Sequence, residues 1–252
     1  MTVSRLHQGA TQLQSRVRQL VKWPSKRLWK FVLEGFDQIP TNGPAILCSN
    51  HISFLDSAFL MLHAPRNISF VGKSEYMDSW KTKRLFPALG MIPIDRSGGE
   101  KSNAALDAAE NVLRRGELFG IFPEGTRSRD GMLYKGHTGA ARLALKVGCP
   151  IFPVGVVGTR EIQPPDAKFP RLGGIVTIRV GRPIAVEHYL DRHDDHLILR
   201  QLIDEVMFEI RSLTGQEYRN VYATKRAETL PSDIARMLTQ SESGIDTKLV
   251  SH

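Results

Sequence analysis

The sequence predicts a single α/β domain with a central mixed, largely parallel sheet flanked by helices, preceded by an N-terminal amphipathic helical arm. Three observations support this fold class. Five short apolar runs are typical of strands, helix-like segments lie between them, and most of the excess positive charge falls in the first 33 residues. Alternating strands and helices are typical of a sheet with helices on its faces.

The N-terminal arm is marked by its charge. Residues 1–33 contain seven Lys and Arg residues and no acid, which leaves 27 of the 34 bases against 26 acids for the rest of the chain. An apolar stripe at helical spacing runs through the arm, formed by Leu13, Val17, Leu20 and Val21. Pro24 is expected to end this helix after Trp23. A second short amphipathic piece is expected over residues 28–32.

Basic residues opposite Trp, Phe and Leu are typical of a helix that lies in a membrane interface. We therefore expect residues 1–38 to be membrane-docking helices whose partner is an anionic membrane surface. The alternative is a helix that packs on the following domain with solvated lysines. A nucleic-acid partner is not expected, because the chain has no zinc-finger, basic-zipper or RNA-binding aromatic signature.

The compartment follows from two further observations. No run approaches the ~18 apolar residues of a spanning helix, and the two cysteines indicate reduced thiols rather than a disulfide framework. The expected location is the cytoplasmic face of the cell membrane, as a peripheral protein.

The main domain is expected over residues 39–213. Its strands are predicted at 45–49, 68–72, 118–122, 151–157 and 175–180, and apolar runs of this kind indicate strands covered on both faces. Helices are predicted at 102–115, 137–147 and 195–213. Residues 214–252 are polar and are expected to be a partly disordered C-terminal extension with a short helix near 232–238.

The first candidate site directly follows the predicted strand 45–49. His51 and Asp56 would point about 140° apart on a straight helix, so they meet only if His51 lies in a turn and Asp56 in the first helical turn. Asp56 would then orient the imidazole, and the other ring nitrogen would take a proton. The alternative is a histidine that caps a turn with Asp56 near a helix start.

The second candidate site follows the predicted strand 118–122, where open α/β sheets place ligands. Gly125 lets the backbone approach an anion, Thr126 offers a hydroxyl, and Arg127 offers a planar fork for phosphate oxygens. Glu124 is expected to hold a hydroxyl or to position Arg127. Arg96 is a further candidate phosphate ligand. The alternative is a polar surface turn with ordinary charges. The His- and Asp-rich run at 188–196 indicates a solvated helix start, and no metal is expected.

Taken together, these segments resemble the 1-acyl-glycerol-3-phosphate acyltransferase family of glycerolipid acyltransferases. That family carries four blocks in order. The first, Asn-His-x4-Asp, is matched by Asn50, His51 and Asp56, and the second, Gly-x-Ile/Phe-x-x-x-Arg, by residues 90–96. The third, Phe-Pro-Glu-Gly-Thr-Arg-Ser, is matched letter for letter by residues 122–128, and the fourth, an apolar Pro-x-x-Pro-Val block, by residues 150–154.

The resemblance implies acyl transfer from a thioester, either acyl-CoA or acyl carrier protein, to the free hydroxyl of a lysophosphatidic acid, giving phosphatidic acid. It implies no cofactor beyond that co-substrate and no metal. His51 would be the general base with Asp56 as its partner. The other implied site residues are the acceptor phosphate and substrate ligands Arg96, Glu124, Gly125, Thr126 and Arg127, the weaker phosphate candidates Lys73 and Lys101, and the acyl-pocket residues Ile151, Pro153 and Val154.

Two alternatives stay open at this point. In the first alternative the chemistry is still acyl transfer, but the acceptor is glycerol 3-phosphate or a lysolipid with a larger head group. In the second alternative the chain is a membrane-surface protein that has kept the fold and lost turnover. Intact His51, Asp56 and residues 124–127 argue against this second alternative.

Overall fold

The computed structural model describes residues 3–73, 90–94 and 101–223. Within these ranges the helices are α1 Val3–Leu28, α2 Leu55–His63, α3 Lys101–Arg114, α4 Gly139–Val147, α5 Thr159–Ile162 and α6 His196–Thr214. The strands are β1 Lys30–Glu34, β2 Ala45–Ser49, β3 Ile68–Lys73, β4 Met91–Ile94, β5 Leu118–Ile121, β6 Leu133–Tyr134, β7 Ile151–Val157, β8 Ile175–Val180 and β9 Tyr218–Arg219. Short 3-10 helices span Phe36–Gln38 and Glu187–Arg192.

Among the described strands, seven form one sheet in the order β1-β8-β7-β2-β5-β3-β4. Strand β2 is parallel to β5 and β7, and β3 is parallel to β4 and β5. Strand β8 is antiparallel to β7, and β1 is parallel to β8. The sheet is therefore mixed and mostly parallel, which confirms the predicted fold class. Strands β6 and β9 pair with each other beside it.

These strand directions bring specific chain ends to one edge of the sheet, which we call the carboxyl edge. Strands β2, β5 and β7 end at this edge, whereas β1 and β8 run the opposite way and begin there. The segments after β2 and β5, which start with Asn50 and Phe122, are thus neighbours in space although Phe122 lies 72 positions after Asn50 in the chain. Open α/β sheets bind ligands at such strand ends.

Two hydrophobic cores lie on the two faces of the sheet. On one face, α3, α4 and α6 pack through residues such as Leu113, Leu143 and Leu199. On the other face, α2 packs through Phe59 and Leu60. All five residues of β2 are buried, because the strand is covered on both faces. Double coverage is also the reason that the run reads as continuously apolar in the sequence.

The N-terminal arm differs from its prediction in two ways. Helix α1 continues through Pro24 to Leu28, so the predicted break after Trp23 is wrong. Proline removes one backbone donor, and here it is exposed and only four residues before the helix end. Residues 30–34 form strand β1 and not a second helical piece, because hydrogen bonding to β8 decides their conformation.

The predicted domain boundary at residue 38 is therefore corrected, since β1 already belongs to the main sheet. Trp29 and Phe31 also belong to the domain, because their rings lie 5.4 and 5.0 Å from the ring of Phe59 in α2. Of the three aromatic residues predicted to face the membrane, Trp29 and Phe31 therefore pack on the domain, and Trp23 on α1 is left for that role. At the other end, the structure describes the predicted extension up to residue 223, and the helix predicted near 232–238 lies outside the described residues.

Candidate active site

His51 and Asp56 meet at the junction between β2 and α2. His51 lies in the turn after β2, and Asp56 is the second residue of α2. The His51 Nδ1 atom lies 3.0 Å from Asp56 Oδ2, which confirms the geometry predicted for this spacing. A carboxylate only accepts hydrogen bonds, so this contact assigns the proton to Nδ1 and leaves the lone pair on Nε2.

The Asp56 carboxylate is completely buried, and each of its oxygens has donors. Besides His51, its Oδ2 atom accepts hydrogen bonds from the backbone N–H groups of Ile52 and Ser53, at 2.7 and 2.8 Å. Its Oδ1 atom accepts from the Thr159 hydroxyl at 2.6 Å. A buried carboxylate is costly unless it is hydrogen-bonded, and these donors hold it in one orientation toward the imidazole.

A stacking contact also restricts the orientation of the His51 ring. It stacks on Phe122, with ring centroids 3.9 Å apart and an angle of 11° between the planes. The His51 side chain is 17% exposed. Within the described part of the chain, its Nε2 atom makes no hydrogen bond. The arrangement is an oriented imidazole whose outer nitrogen can take a proton from a bound group.

Glu124 occupies a different position from the one predicted. Its carboxylate is 1% exposed, and it accepts hydrogen bonds from the backbone N–H groups of His51 at 2.9 Å and Tyr134 at 3.0 Å. Burial raises the pKa of the Glu124 carboxyl to about 8. The prediction that Glu124 holds a substrate hydroxyl is therefore corrected. Glu124 is a positioning residue that ties the loop after β5 to the backbone of His51.

The loop after β5 continues through Gly125 and Thr126 to Arg127, which lines a cleft. Gly125 has a φ of +75°, a conformation that favours glycine, and a Cβ there would lie 3.2 Å from the His137 ring. The Thr126 hydroxyl is buried without a hydrogen-bond partner among the described residues. Arg127 is half-buried and lines this cleft together with Ile52, Ser53, Ser128, Arg129, Gln163, Pro164, Pro165 and Ala167.

The structure brings the predicted phosphate ligand Arg127 and the predicted base together. The cleft wall contains Ile52 and Ser53, which directly follow His51. The backbone N–H of Ser128 donates a hydrogen bond to the His51 carbonyl at 2.7 Å. A second arginine of the cleft, Arg129, forms an ion pair with Asp166. Binding of Gly125, Thr126 and Arg127 to a phosphate stays a prediction.

The remaining predicted site residues do not lie in the cleft lining that the structure describes. Arg96 lies outside the described residues, and the structure describes only the backbone of Lys73 and Lys101. A role of Ile151, Pro153 and Val154 in an acyl pocket stays a prediction. Ile151 and Val154 have no exposed surface and belong to the two hydrophobic cores, and Pro153 is also buried within β7. Their side chains fill the protein interior in this structure, since β7 is covered on both faces.

Two residues were missed by the sequence reasoning. Thr159 is fully buried and reaches Asp56 from 103 residues away. Gln216 accepts a hydrogen bond from the Asn50 side chain and donates one to the Gly131 carbonyl, at 2.9 and 2.8 Å. Nothing in the local sequence marks Gln216. A Gly-Thr pair directly after an apolar strand was the one available signal for Thr159, because it starts a new helix at the carboxyl edge.

Removing the Thr159 hydroxyl tests its role as a positioning residue. Thr159→Val keeps the shape but leaves Asp56 Oδ1 without its donor, so we expect kcat to fall by ~10-fold, the effect of about one hydrogen bond to a charged group. KM should change by less than ~3-fold. Thr159→Ser should restore most of kcat in steady-state assays, because it restores the donor. If Thr159→Val lowers only the unfolding temperature and leaves kcat unchanged, Thr159 has a structural role alone.

No group of three or more His, Cys, Asp or Glu side chains in the described ranges is arranged to hold a metal ion. The predicted helix start in the His- and Asp-rich run is confirmed, since Asp195 accepts hydrogen bonds from the first N–H groups of α6. The site as built is thus an imidazole–carboxylate pair beside a cleft that contains arginines.

The fold and the site define an α/β domain with an oriented imidazole–carboxylate pair and an arginine-lined cleft at one edge of its sheet, and the comparison with known proteins identifies the family. The Acyltransferase family model matches residues 30–157, just over half of the chain, so the chain belongs to the Acyltransferase family. This confirms the resemblance found in the sequence. A crystal structure of the 1-acyl-sn-glycerophosphate acyltransferase PlsC of Thermotoga maritima is similar, with a TM-score of 0.62 and 26% identity, covering 79% of this chain and 80% of that chain.

Curated relatives carry related names. The chain is 29% identical over 166 residues to the chloroplastic 1-acyl-sn-glycerol-3-phosphate acyltransferase LPAT1 of Arabidopsis thaliana, covering 64% of this chain and 46% of that protein. It is 38% identical over 120 residues to a 1-acyl-sn-glycerol-3-phosphate acyltransferase of Limnanthes douglasii, covering 47% of this chain and 43% of that protein. The chain thus spans about half the length of these relatives.

Proposed function

We propose that this chain transfers an acyl group from a thioester, acyl-CoA or acyl carrier protein, to the free hydroxyl of a lysophosphatidic acid. The products are phosphatidic acid and the free thiol of the donor. The observation that carries the proposal is the His51–Asp56 pair. Its outer ring nitrogen has no protein partner in the described chain, and the two residues after His51, Ile52 and Ser53, line the Arg127 cleft. Family membership and the names of the relatives support it.

The proposed reaction needs one base and no covalent intermediate. A thioester is already activated, whereas an alcohol is a poor nucleophile. His51 Nε2 takes the proton as the acceptor oxygen attacks the thioester carbonyl, and Asp56 stabilises the imidazolium that forms. The tetrahedral intermediate then collapses, the C–S bond breaks, and the proton passes from Nε2 to the leaving sulfur. His51 is neutral again when the ester and the thiol leave.

The acceptor phosphate serves as the handle that aligns the hydroxyl with His51. Arg127 lines the cleft, and its guanidinium matches phosphate oxygens in two hydrogen bonds. Gly125 in the same loop has a positive φ and carries no side chain, so the backbone can be approached closely at this point. Holding two reactants in line contributes to rate independently of the base.

A thiol-release assay with a panel of acceptors and donors tests the proposal. Release from acyl-CoA or acyl carrier protein should depend on a lysophosphatidic acid, and phosphatidic acid should be the product by mass spectrometry. If turnover is faster with glycerol 3-phosphate or with a larger-head-group lysolipid, that compound and not lysophosphatidic acid is the acceptor. Absence of acceptor-dependent release with every combination would support the alternative of a membrane-surface protein without turnover.

Arg127→Ala is expected to lower kcat/KM for a phosphate-bearing acceptor by ~1.5–3 kcal/mol, the range for a charge-assisted hydrogen bond. The loss should be much smaller with an acceptor that lacks the phosphate and is already poor with the wild type. Steady-state kinetics with both acceptors measure the difference. Equal losses on the two acceptors would assign Arg127 to the fold or to the thioester donor.

We also propose that α1 docks the protein peripherally on an anionic bilayer, as expected for the cytoplasmic leaflet. Helix α1 turns polar side chains toward the domain, because Gln14 donates to the Ile68 carbonyl at 2.9 Å and Arg18 to the Ala64 carbonyl at 3.0 Å. Its apolar side chains face outward instead, with Leu20 77% and Trp23 66% exposed. This orientation argues against the alternative in which the apolar stripe packs on the domain. Among the described residues, no helix is long and apolar enough to cross a bilayer.

The charge and the apolar face of α1 support docking together. Arg16, Lys26 and Arg27 are exposed on the helix, and each cation near an anionic surface contributes ~1 kcal/mol. This part should weaken with salt, because the Debye length falls from ~10 Å at 0.1 M to ~3 Å at 1 M. The contribution of the apolar side chains should persist in salt.

The substitution pair Leu20→Ser/Trp23→Ser is expected to weaken partition onto vesicles of equal parts phosphatidylglycerol and phosphatidylcholine by at least ~10-fold. Sedimentation of vesicles with the full chain measures it. Point substitutions are preferable to removing residues 1–38, since that deletion would also remove β1 from the sheet. Turnover of a water-soluble short-chain acceptor should stay unchanged. Partition equal to that of the wild type would place the docking surface elsewhere.

A further inference from the structure

The loop between α5 and β8 has two parts with different surroundings. Its first part, residues 163–167, contributes Gln163, Pro164, Pro165 and Ala167 to the wall of the Arg127 cleft. Its second part, residues 168–175, reaches the first residue of β8 and is exposed almost throughout. Large apolar side chains lie in this exposed part, with Phe169 73% and Leu172 76% exposed, and Ile175 more than half exposed. One loop therefore connects the cleft wall to an unusually apolar exposed segment.

Hydrogen bonds hold this loop to the end of α1. The Trp29 indole N–H donates to the Arg171 carbonyl at 2.8 Å. The Gly173 N–H donates to the Leu28 carbonyl at 2.9 Å, and the Lys30 N–H donates to the Gly174 carbonyl at 3.0 Å. Because β1 and β8 both begin at the carboxyl edge, the last turn of α1 and the loop lie side by side at the edge that also carries His51.

Cations accompany the apolar side chains of the loop. The Lys168 ammonium lies 5.8 Å from the centroid of the Phe169 ring, and Lys168 and Arg171 are both exposed. Arg27 lies 4.7 Å above the Trp23 ring on the adjoining end of α1. Aromatic and aliphatic side chains alternating with cations are the pattern that fits an anionic membrane interface, whereas a protein-binding patch tends to be depleted in lysine.

We propose that residues 168–175 are a second membrane-contacting element, which inserts Phe169 and Leu172 into an anionic bilayer next to the end of α1. The cleft then opens toward the lipid surface, and a lysolipid can enter it without crossing bulk water. The inference rests on the proposed membrane-borne acceptor. It adds a surface that the α1 proposal does not contain, and it gives the cleft an orientation relative to the bilayer.

The first test uses the full chain and a matched pair of double substitutions. Phe169→Ser/Leu172→Ser removes the apolar side chains of the loop. Leu197→Ser/Phe208→Ser is the control, because these residues are similarly exposed but lie on α6, which packs on the face of the sheet opposite to α2. The loop variant should bind vesicles of equal parts phosphatidylglycerol and phosphatidylcholine at least ~10-fold more weakly, and the control should bind as the wild type does.

The second test measures insertion directly. Phe169→Cys labelled with an environment-sensitive fluorophore should shift its emission to the blue on adding the same vesicles, and labelled Phe208→Cys should not. Selective labelling is expected because Cys48 and Cys149 are buried, and burial raises the pKa of Cys149 to about 12. No blue shift at position 169, or an equal shift at both positions, would overturn the proposal.

These measurements separate the inference from the proposed function. The loop variant should keep wild-type turnover of a water-soluble short-chain acceptor and lose turnover of a long-chain lysolipid in vesicles by a factor similar to its loss of binding. Wild-type vesicle binding by the loop variant would overturn this inference and leave the proposed function standing. A change in self-association without a change in vesicle binding, measured by sedimentation velocity, would make a second copy of the chain the occupant of this surface. Absence of any turnover by the wild type would contradict the proposed function itself.

Discussion

Replacing His51 with alanine is expected to lower kcat by at least ~100-fold, the low end for the loss of a general base. The geometry gives the reason. Nε2 is the ring nitrogen that is left open by the Asp56 contact, so the variant retains the cleft but has no group there to accept the hydroxyl proton. Single-turnover measurements with saturating thioester and lysophosphatidic acid isolate this chemical step.

The fold should survive the His51 substitution. Asp56 would keep its donors from Ile52, Ser53 and Thr159, so no buried carboxylate is left without partners. Circular dichroism and thermal unfolding check this directly. His193→Ala is a suitable control, because its side chain is half exposed and its Nε2 atom lies 3.2 Å from the carboxylate of the neighbouring Asp194. Near-wild-type kcat in His51→Ala would rule out the proposed mechanism.

Asp56→Asn is expected to lower kcat by ~10–100-fold, somewhat less than the loss of His51. An asparagine oxygen can still accept from the backbone donors, and its NH₂ group can donate to the Thr159 oxygen. What disappears is the negative charge that stabilises the imidazolium, and a hydrogen bond to a charged group contributes ~1.5–3 kcal/mol. KM for the acceptor should change little, because the substitution does not touch the cleft.

Asp56→Ala provides the comparison for this residue. It leaves the N–H groups of Ile52 and Ser53 and the Thr159 hydroxyl without their buried acceptor, so the unfolding temperature should drop clearly below that of Asp56→Asn. A kcat of Asp56→Asn within ~2-fold of the wild type would show that the carboxylate charge is not used in the reaction.

The sequence was most informative where the chemistry is carried by a short segment. Asn50, His51 and Asp56 lie within seven residues of one another, and a strand–turn–helix junction leaves few ways to arrange them. The apolar runs for the strands 45–49 and 151–157 were recognisable because double burial leaves them almost wholly apolar, with Ser49 as the one polar residue. The helix at 195–213 was recognisable from its apolar period and differs by one residue at each end from α6.

Errors arose where distant segments decide the local structure. Residues 30–34 have a helix-compatible amphipathic pattern, yet they form β1 because β8 offers backbone partners 145 residues further along the chain. Glu124 looked like a substrate ligand, since a carboxylate beside Gly125 and Arg127 is polar and follows a strand. In the fold it is enclosed, because the backbone N–H groups of His51 and Tyr134 come to it from both sides.

The sequence alone predicted the fold class, the order of the four family blocks and the basic arm, because each depends on neighbouring residues or on composition. It offered the His51–Asp56 pairing as one of two alternatives. Only the tertiary structure decided that Thr159 donates to Asp56, that α1 turns its apolar side chains outward and that residues 168–175 lie beside the end of α1. The physical reason is that hydrogen bonds and solvent exposure depend on which distant backbone segments the sheet brings together. The sequence shows which side chains are available for these contacts, and the tertiary structure determines which of them meet.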